Sequence, residues 1–287
     1  METAIETVRV DGMRLHAQFA PPSDDSNGVM IGVHGLGDHS QHFDILHSPA
    51  ARRRFAVAAF DLPGHGQSPG RKGHAKSYDS LLRAIGAMSR QCVDRYGDCP
   101  QWIVGHSMGG NLVTNYLLRQ NEIAPDAPAP AGAILYSPML MPPVNVTRPQ
   151  IFAAWLTGYL LPSIRVHKDA PIEKLTADPA MQDRIARDGL RHGKLSIYLA
   201  TQLLAQGRWA VDHAREIDVP VLIMDGEADE MVDRDATAGA STRIGRNATH
   251  VTWPGGRHDL LHDVDRGAVI ERTFTWLESV SGLARAA

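Results

Sequence analysis

The sequence predicts an α/β fold: a mostly parallel central sheet covered by helices, opened by an N-terminal antiparallel hairpin and interrupted by a helical cap insertion. Three observations predict it. Short apolar runs alternate with longer stretches of helical periodicity along most of the chain. Asp11-Gly12 separates two strand-like runs near the N-terminus. Between Pro138 and about Ala214 the alternation stops and prolines cluster.

Each element follows from its residues. Thr7–Val10 and Met13–Phe19 flank Asp11-Gly12, a pair suited to the tight turn of a hairpin. After the polar loop Pro21–Asn27 come Val29–Val33, Phe55–Phe60, Trp102–Val104, Ala133–Tyr136 and Val219–Met224. These runs are apolar without a break, as expected of strands buried on both faces of a parallel sheet. Tyr78–Arg95, Gly110–Gln120, Asp235–Ile244 and Val264–Ser281 carry apolar residues at helical spacing. The interrupted stretch holds Pro138, Pro142, Pro143, Pro149, Pro162, Pro171 and Pro179, with helical pieces and no convincing strand. It is too long for a structureless loop. Residues 138–214 are therefore expected to form a helical insertion over the C-terminal ends of the strands, where open α/β sheets bind ligands. That makes it a candidate lid, with residues 1–137 and 215–287 as the core. The small tail Leu283–Ala287 is expected to fray.

Bulk properties exclude several classes. A length of 287 residues suits one large domain with an insertion, and 43% hydrophobic residues suffice for a globular core. A formal net charge of −3 offers no electrostatic footprint for nucleic acid. Met1–Val10 carries two Glu residues and no apolar core, so no signal peptide is expected. No apolar run approaches the ~20 residues that span a bilayer. Cys92 and Cys99 are too few for a disulfide framework and read as reduced thiols of a cytoplasmic protein.

The chemistry centres on Gly105-His106-Ser107-Met108-Gly109. A G-x-S-x-G match alone is weak, because three fixed positions recur by chance. Here it follows a strand-like run and precedes Gly110–Leu118, whose apolar spacing is helical. Strand, sharp turn and helix with Ser at the apex make a nucleophile elbow. Gly105 and Gly109 allow strand and helix to crowd together, and the helix N-terminus favours negative charge at Ser107.

A serine nucleophile needs a base, an orienting acid and oxyanion donors. His258 follows a strand and the flexible Pro254-Gly255-Gly256, the expected place for the base. Asp225, Glu227, Asp229, Glu230 and Asp233 all lie after the strand Val219–Met224 and compete to be the acid. Spacing does not choose between them, and each alone also reads as a solvated loop charge. Val29–Val33 ends in His34-Gly35-Leu36-Gly37, a Gly-rich loop able to offer the Leu36 N–H to an oxyanion beside that of Met108. His258-Asp259-Leu260-Leu261-His262 mimics a zinc-binding helix motif, but glycines precede it, Asp replaces Glu and no third ligand suggests itself. No metal is expected. His34, His39, His42 and His47 fit no zinc spacing and are expected to meet solvent or backbone. Asp61–Ser68 is rich in turn residues and reads as structural.

These residues resemble the α/β-hydrolase superfamily, and within it the monoacylglycerol lipase and lysophospholipase group, often filed with serine aminopeptidases. The resemblance rests on His34–Ser40, on Asp61–Ser68 as D-x-x-G-H-G-x-S, on Gly105–Gly110 as GHSMGG, on Ser137-Pro138, on Gly226–Asp229 and on the loop ending at His258. It covers about residues 5–280. It implies Asp229 as the acid through the G-x-x-D pattern, with Asp225 a departure that leaves a second acid close by. It also implies a helical cap over residues 138–214 and a catalytic set of Ser107, Asp229 and His258. The expected activity is hydrolysis of acyl esters, monoacylglycerols or lysophospholipids, through an acyl-enzyme and without a cofactor. Ile151–Leu161 is apolar nearly all round, so Trp155, Leu156 and Tyr159 are candidate substrate contacts on a face open to lipid aggregates or a membrane surface. The other reading is a helix buried inside the cap. A general esterase for small soluble esters is the second enzyme reading. A ligand-binding receptor built on the same fold is the reading from another class.

Overall fold

The computed structural model describes residues 3–22, 26–143, 164–167 and 169–282. The chain opens with β1 (Ala4–Val10) and β2 (Met13–Ala20), antiparallel with Val10 opposite Met13. Asp11 and Gly12 form the turn with φ of 48° and 78°. Both are left-handed, the backbone that a two-residue hairpin turn of this twist requires. β3 (Gly28–Val33), β4 (Phe55–Phe60), β5 (Gln101–His106) and β6 (Gly132–Tyr136) follow. Beyond the insertion come β9 (Val221–Gly226) and β10 (Ala248–Trp253). The eight strands lie in the order β1-β2-β4-β3-β5-β6-β9-β10, parallel from β4 to β10.

Continuous apolarity in the strands feeds two cores, one on each face. Along β3, Val29, Ile31 and Val33 point into one core while Met30 points into the other. In β5, Ile103 joins the first and Trp102 and Val104 the second. Helices α2 (Tyr78–Tyr96) and α3 (Met108–Ile123) contribute Leu81, Ile85, Leu112 and Val113 to the first. Helix α8 (Arg266–Val280) contributes Phe274, Trp276 and Leu277 to the second, joined by Leu46 just before α1 (His47–Arg52). Ser77 caps α2 by accepting from Ser80 N–H at 3.1 Å.

The topology also places the site. From β3 the chain crosses to β4 on one side and then to β5 on the other. A crevice opens between the C-terminal ends of β3 and β5, the point where such sheets bind ligands. His34–Gly37 leaves β3 there and Ser107 leaves β5 there.

Between β6 and β9 the described chain forms β7 (Arg165–His167), α4 (Ile172–Leu175), α5 (Pro179–Arg187), β8 (Lys194–Ser196) and α6 (Ile197–His213). β7 and β8 pair antiparallel as a second, two-stranded sheet. The sequence predicts no strand here, and the structure corrects that. Each strand is three residues long, too short for periodicity to register. α6 packs on α3 and sends Leu199, Leu203 and Val211 into the first core. Buried Asn111 ties the layer together, donating to Met139 O at 2.9 Å and Leu203 O at 3.1 Å and accepting from the Tyr78 hydroxyl at 2.6 Å. Trp155, Leu156 and Tyr159 lie outside the described residues.

Candidate active site

Ser107 stands between the last residue of β5 and the first of α3 with φ 54° and ψ −116°. That is a strained conformation for a residue with a side chain, costing on the order of 1–3 kcal/mol. Close packing forces it. A Cβ on Gly109 would fall 1.9 Å from Val33 O, and one on Gly105 2.7 Å from Gly109 O. The main chain of Ser107 is pinned on both sides. Its N–H donates to Tyr136 O at 3.0 Å, and its carbonyl accepts from Asn111 N–H at 3.2 Å and Met139 N–H at 2.9 Å.

Each of the five competing carboxylates finds its own place. Asp225 is buried in β9 and pairs across to His250 Nε2 of β10 at 2.7 Å. Glu227 accepts from Gly255 N–H at 3.1 Å, and Glu230 pairs with Lys174 at 2.7 Å on the surface. Asp233 caps α7 (Arg234–Ile244) by accepting from Ala236 N–H. Asp229 alone of the five meets His258, with Oδ2 2.8 Å from Nδ1. Its other oxygen accepts from Met231 N–H at 2.7 Å. Burial works against the charge on Asp229, yet hydrogen bonds from His258 and the Met231 N–H hold its carboxyl below the usual range. An ionised carboxylate only accepts, so Nδ1 of His258 carries the proton that faces Asp229 and Nε2 is the ring nitrogen left for other chemistry.

The loop after β3 presses against Ser107: a Cβ on Gly35 would sit 3.4 Å from Ser107 Cβ. Among the described residues, neither the Leu36 N–H nor the Met108 N–H donates to another protein group. His34 fixes this loop. Its Nδ1 donates to Gly35 O at 2.7 Å and its Nε2 accepts from Leu62 N–H at 3.0 Å. Asp61 adds to the hold, accepting from Ser40 N–H and Gln67 N–H, each at 2.7 Å. The Asp61–Ser68 loop is thus the brace for the Gly-rich loop.

A cavity of about 380 Å³ joins these parts, with Gly35, Leu36, Ser107, Met108 and His258 in its lining. Met139, Leu175, Leu195, Leu203, Leu204 and Met231 make its apolar wall. Asp38 and Arg191 stand in it as an ion pair at 2.8 Å. The sequence places the insertion over this end of the sheet but identifies neither this pair nor Leu175, Leu195 and Leu204 as wall residues. Arg191 has no motif, and its partner lies far away along the chain.

Of the four histidines after β3, His34 meets backbone groups as expected, and the other three differ from expectation. His39 meets Asp188 at 2.7 Å, and buried His42 sits 3.0 Å from Asp38 and 3.7 Å from Asp259. His47 lies 3.7 Å from Asp44. Their partners are side-chain carboxylates, Asp188 and Asp259 from far along the chain and Asp38 and Asp44 from within one turn, where the sequence implies solvent or backbone. His258 and His262 do not share a zinc-binding helix, since the only helical piece between them, Leu260–His262, is a single 3₁₀ turn.

Two buried rings set an acid limit on the fold. Burial lowers the pKa of His34 to about 4 and that of His65 well below its ordinary value. Both are neutral in the folded protein, while in the unfolded chain they take up protons below about pH 6.5. The unfolded state then binds more protons, so this stability is full above pH 6.5 and is lost as pH falls toward 4. His34 alone accounts for about 2 kcal/mol at pH 5. Tm should fall by several degrees between pH 7 and 5, and His65→Gln should flatten part of that slope. A Tm that stays level over this window would show both rings charged in the fold.

Residues 24–265 match the protein family described as Serine aminopeptidase, S33. An uncharacterized abhydrolase domain-containing protein of Dictyostelium discoideum is 27% identical over 248 residues, covering 86% of this chain and 26% of that protein. The chain thus spans about a quarter of that relative's length. The Monoacylglycerol lipase of Mycolicibacterium smegmatis is 24% identical over 278 residues, covering 94% of this chain and 95% of that protein. The crystal structure of Paleococcus ferrophilus monoacylglycerol lipase matches with a TM-score of 0.81 at 25% identity, covering 93% of this chain and 99% of that one.

Proposed function

The chain belongs to the serine aminopeptidase S33 family and is a serine hydrolase of the α/β-hydrolase superfamily, and on that premise we propose that it cleaves monoacylglycerols or closely related acyl esters with Ser107, His258 and Asp229. The observation that carries the reading is the apolar cavity running from Ser107, with one charged pair in its wall. An acyl chain fits the Met and Leu wall, and a small polar head fits the Asp38–Arg191 side. Relatives bearing the lipase name align along nearly the whole chain. An aminopeptidase would need a free carboxylate for the substrate's ammonium group. Asp38, the carboxylate lining the cavity, is already neutralised by Arg191.

The reaction follows from the parts. His258 Nε2 takes the proton of Ser107 Oγ as the oxygen attacks the ester carbonyl. Asp229 holds the ring by its Nδ1 proton and stabilises the imidazolium. The N–H groups of Leu36 and Met108 receive the oxyanion, the largest electrostatic contribution in such sites. His258 then returns the proton to the leaving alkoxide, and water clears the acyl-enzyme by the same route. No step requires a metal or organic cofactor.

Residues 138–214 act in this reading as the cap, supplying Leu175, Arg191, Leu195 and Leu204 to the wall. The apolar run 151–161 would meet lipid aggregates, and the free thiols Cys92 and Cys99 suit a reducing, cytoplasmic setting. No helix among the described residues is long and apolar enough to cross a membrane.

A panel of monoacylglycerols and p-nitrophenyl esters from acetyl to palmitoyl tests the reading. Activity should rise with chain length, since each buried CH₂ contributes ~0.8 kcal/mol. Leu204→Asp places a charge on the apolar wall. It should cut kcat/KM for dodecanoyl and longer esters by at least about tenfold, equivalent to 1.4 kcal/mol, and spare acetyl esters. Equal losses across the panel, or a preference for acetyl esters in the unaltered enzyme, would favour the general esterase reading.

A further inference from the structure

The segment after His258 carries a second constellation beside the ester site. His42, Asp259 and His262 are all buried, and each brings a ligand atom within 4.8 Å of the other two. One comes from the chain after β3 and two from the chain after β10, so only the fold assembles them. His262 Nδ1 lies 3.1 Å from both Asp259 oxygens, and His42 Nε2 lies 3.7 Å from Asp259 Oδ1. Atoms bound to one tetrahedral zinc ion at 2.0–2.1 Å stand about 3.3 Å apart. The trio is close to that spacing.

The orientation of His42 is a second, independent observation. Its Nδ1 faces Asp38 Oδ2 at 3.0 Å. Its Nε2 is buried and has no hydrogen-bond partner among the described residues. A carboxylate on one ring nitrogen, with the other left for a metal, is how proteins fix the tautomer and aim of a ligating imidazole. Asp38 is itself held away by Arg191 at 2.8 Å and by the His39 N–H at 2.9 Å. His106 stacks on His42 at 4.6 Å and 13° from parallel, which keeps the ring from turning.

A third observation is space. A small cavity of about 30 Å³ is lined by these three residues and Asp38, with Met181, Arg184 and Ile185 of α5 across it. That is room for one ion or one water. Two imidazoles and one carboxylate suit Zn²⁺, whereas Ca²⁺ and Mg²⁺ favour oxygen ligands alone.

We propose that His42, Asp259 and His262 bind one Zn²⁺ ion, with a fourth position open to solvent, as a clamp between the chain after β3 and the loop that carries His258. Asp259 adjoins His258 and His106 adjoins Ser107, so the clamp would hold both halves of the ester site in register. The ion takes no part in the ester chemistry, and the inference does not depend on the substrate.

The test uses the full chain, stripped with a chelator, incubated with Zn²⁺ and desalted. Elemental analysis should find one zinc per chain, and Zn²⁺ should raise Tm by binding the folded state. Competition with a fluorescent chelator gives Kd. His42→Gln and His262→Gln should each raise it at least about tenfold. His213→Gln, altering a ring stacked on Trp209 in α6, should leave it unchanged. Circular dichroism checks each fold, and Asp259→Asn replaces any ligand variant that does not fold. A wild-type chain that retains no zinc overturns the proposal. So does zinc that survives in the folded ligand variants with unchanged Kd.

Discussion

Ser107→Ala is expected to lower kcat toward a preferred ester by about 10⁶ and to leave the fold intact. His258→Ala should do the same, and the double variant should be little worse than either. The reason is that nucleophile and base act in one step: without the ring, Ser107 Oγ keeps its proton, and without the hydroxyl the ring has nothing to activate. What remains is the binding and oxyanion contribution of the cavity. Alanine at position 107 inherits the same φ of 54°, so Tm should move little. Labelling by a serine-directed fluorophosphonate should vanish in Ser107→Ala. Retained labelling or turnover in that variant would remove Ser107 from the nucleophile's role. Stoichiometric labelling of the wild type with negligible turnover would point to the receptor reading.

Asp229→Asn is expected to cost about 10⁴ in kcat, because an amide allows the imidazole its wrong tautomer. Asp225→Asn should behave differently. That carboxylate is buried against His250, 2.7 Å away on the next strand. Its loss should lower Tm through a broken buried pair and spare most of kcat. The two residues are only four apart, Asp225 within β9 and Asp229 just beyond its end, so the contrast is a sharp one. A larger kcat loss for Asp225→Asn in a well-folded protein would transfer the acid's role to it.

Most of the fold was legible because it is encoded locally. Phe55–Phe60 occupies the same residues in prediction and structure. Asp11-Gly12 announced its hairpin, since both positions need positive φ. The junction at Ser107 was legible because glycines flank it at the crossing of strand and helix. The pair β7 and β8 was not, because three-residue strands carry no periodicity of their own. Nor were the carboxylate partners of His39 and His42, which come from 149 and 217 residues further along the chain.

By itself the sequence determined the alternation of core strands and helices, the hairpin, the Ser107 elbow and the presence of an insertion after β6. Periodicity, glycine placement and proline clusters act through each residue's immediate backbone neighbours, and those are written in order along the chain. Spacing left five acids open and the G-x-x-D resemblance implied one; the tertiary structure set that one, Asp229, against His258. It also seated Arg191 beside Asp38 in the cavity wall and gathered His42, Asp259 and His262 around one small space. Each of those pairings depends on the register and order of strands laid side by side. A shift of one residue reverses which face a strand side chain meets, so such partners exist only once the sheet has formed.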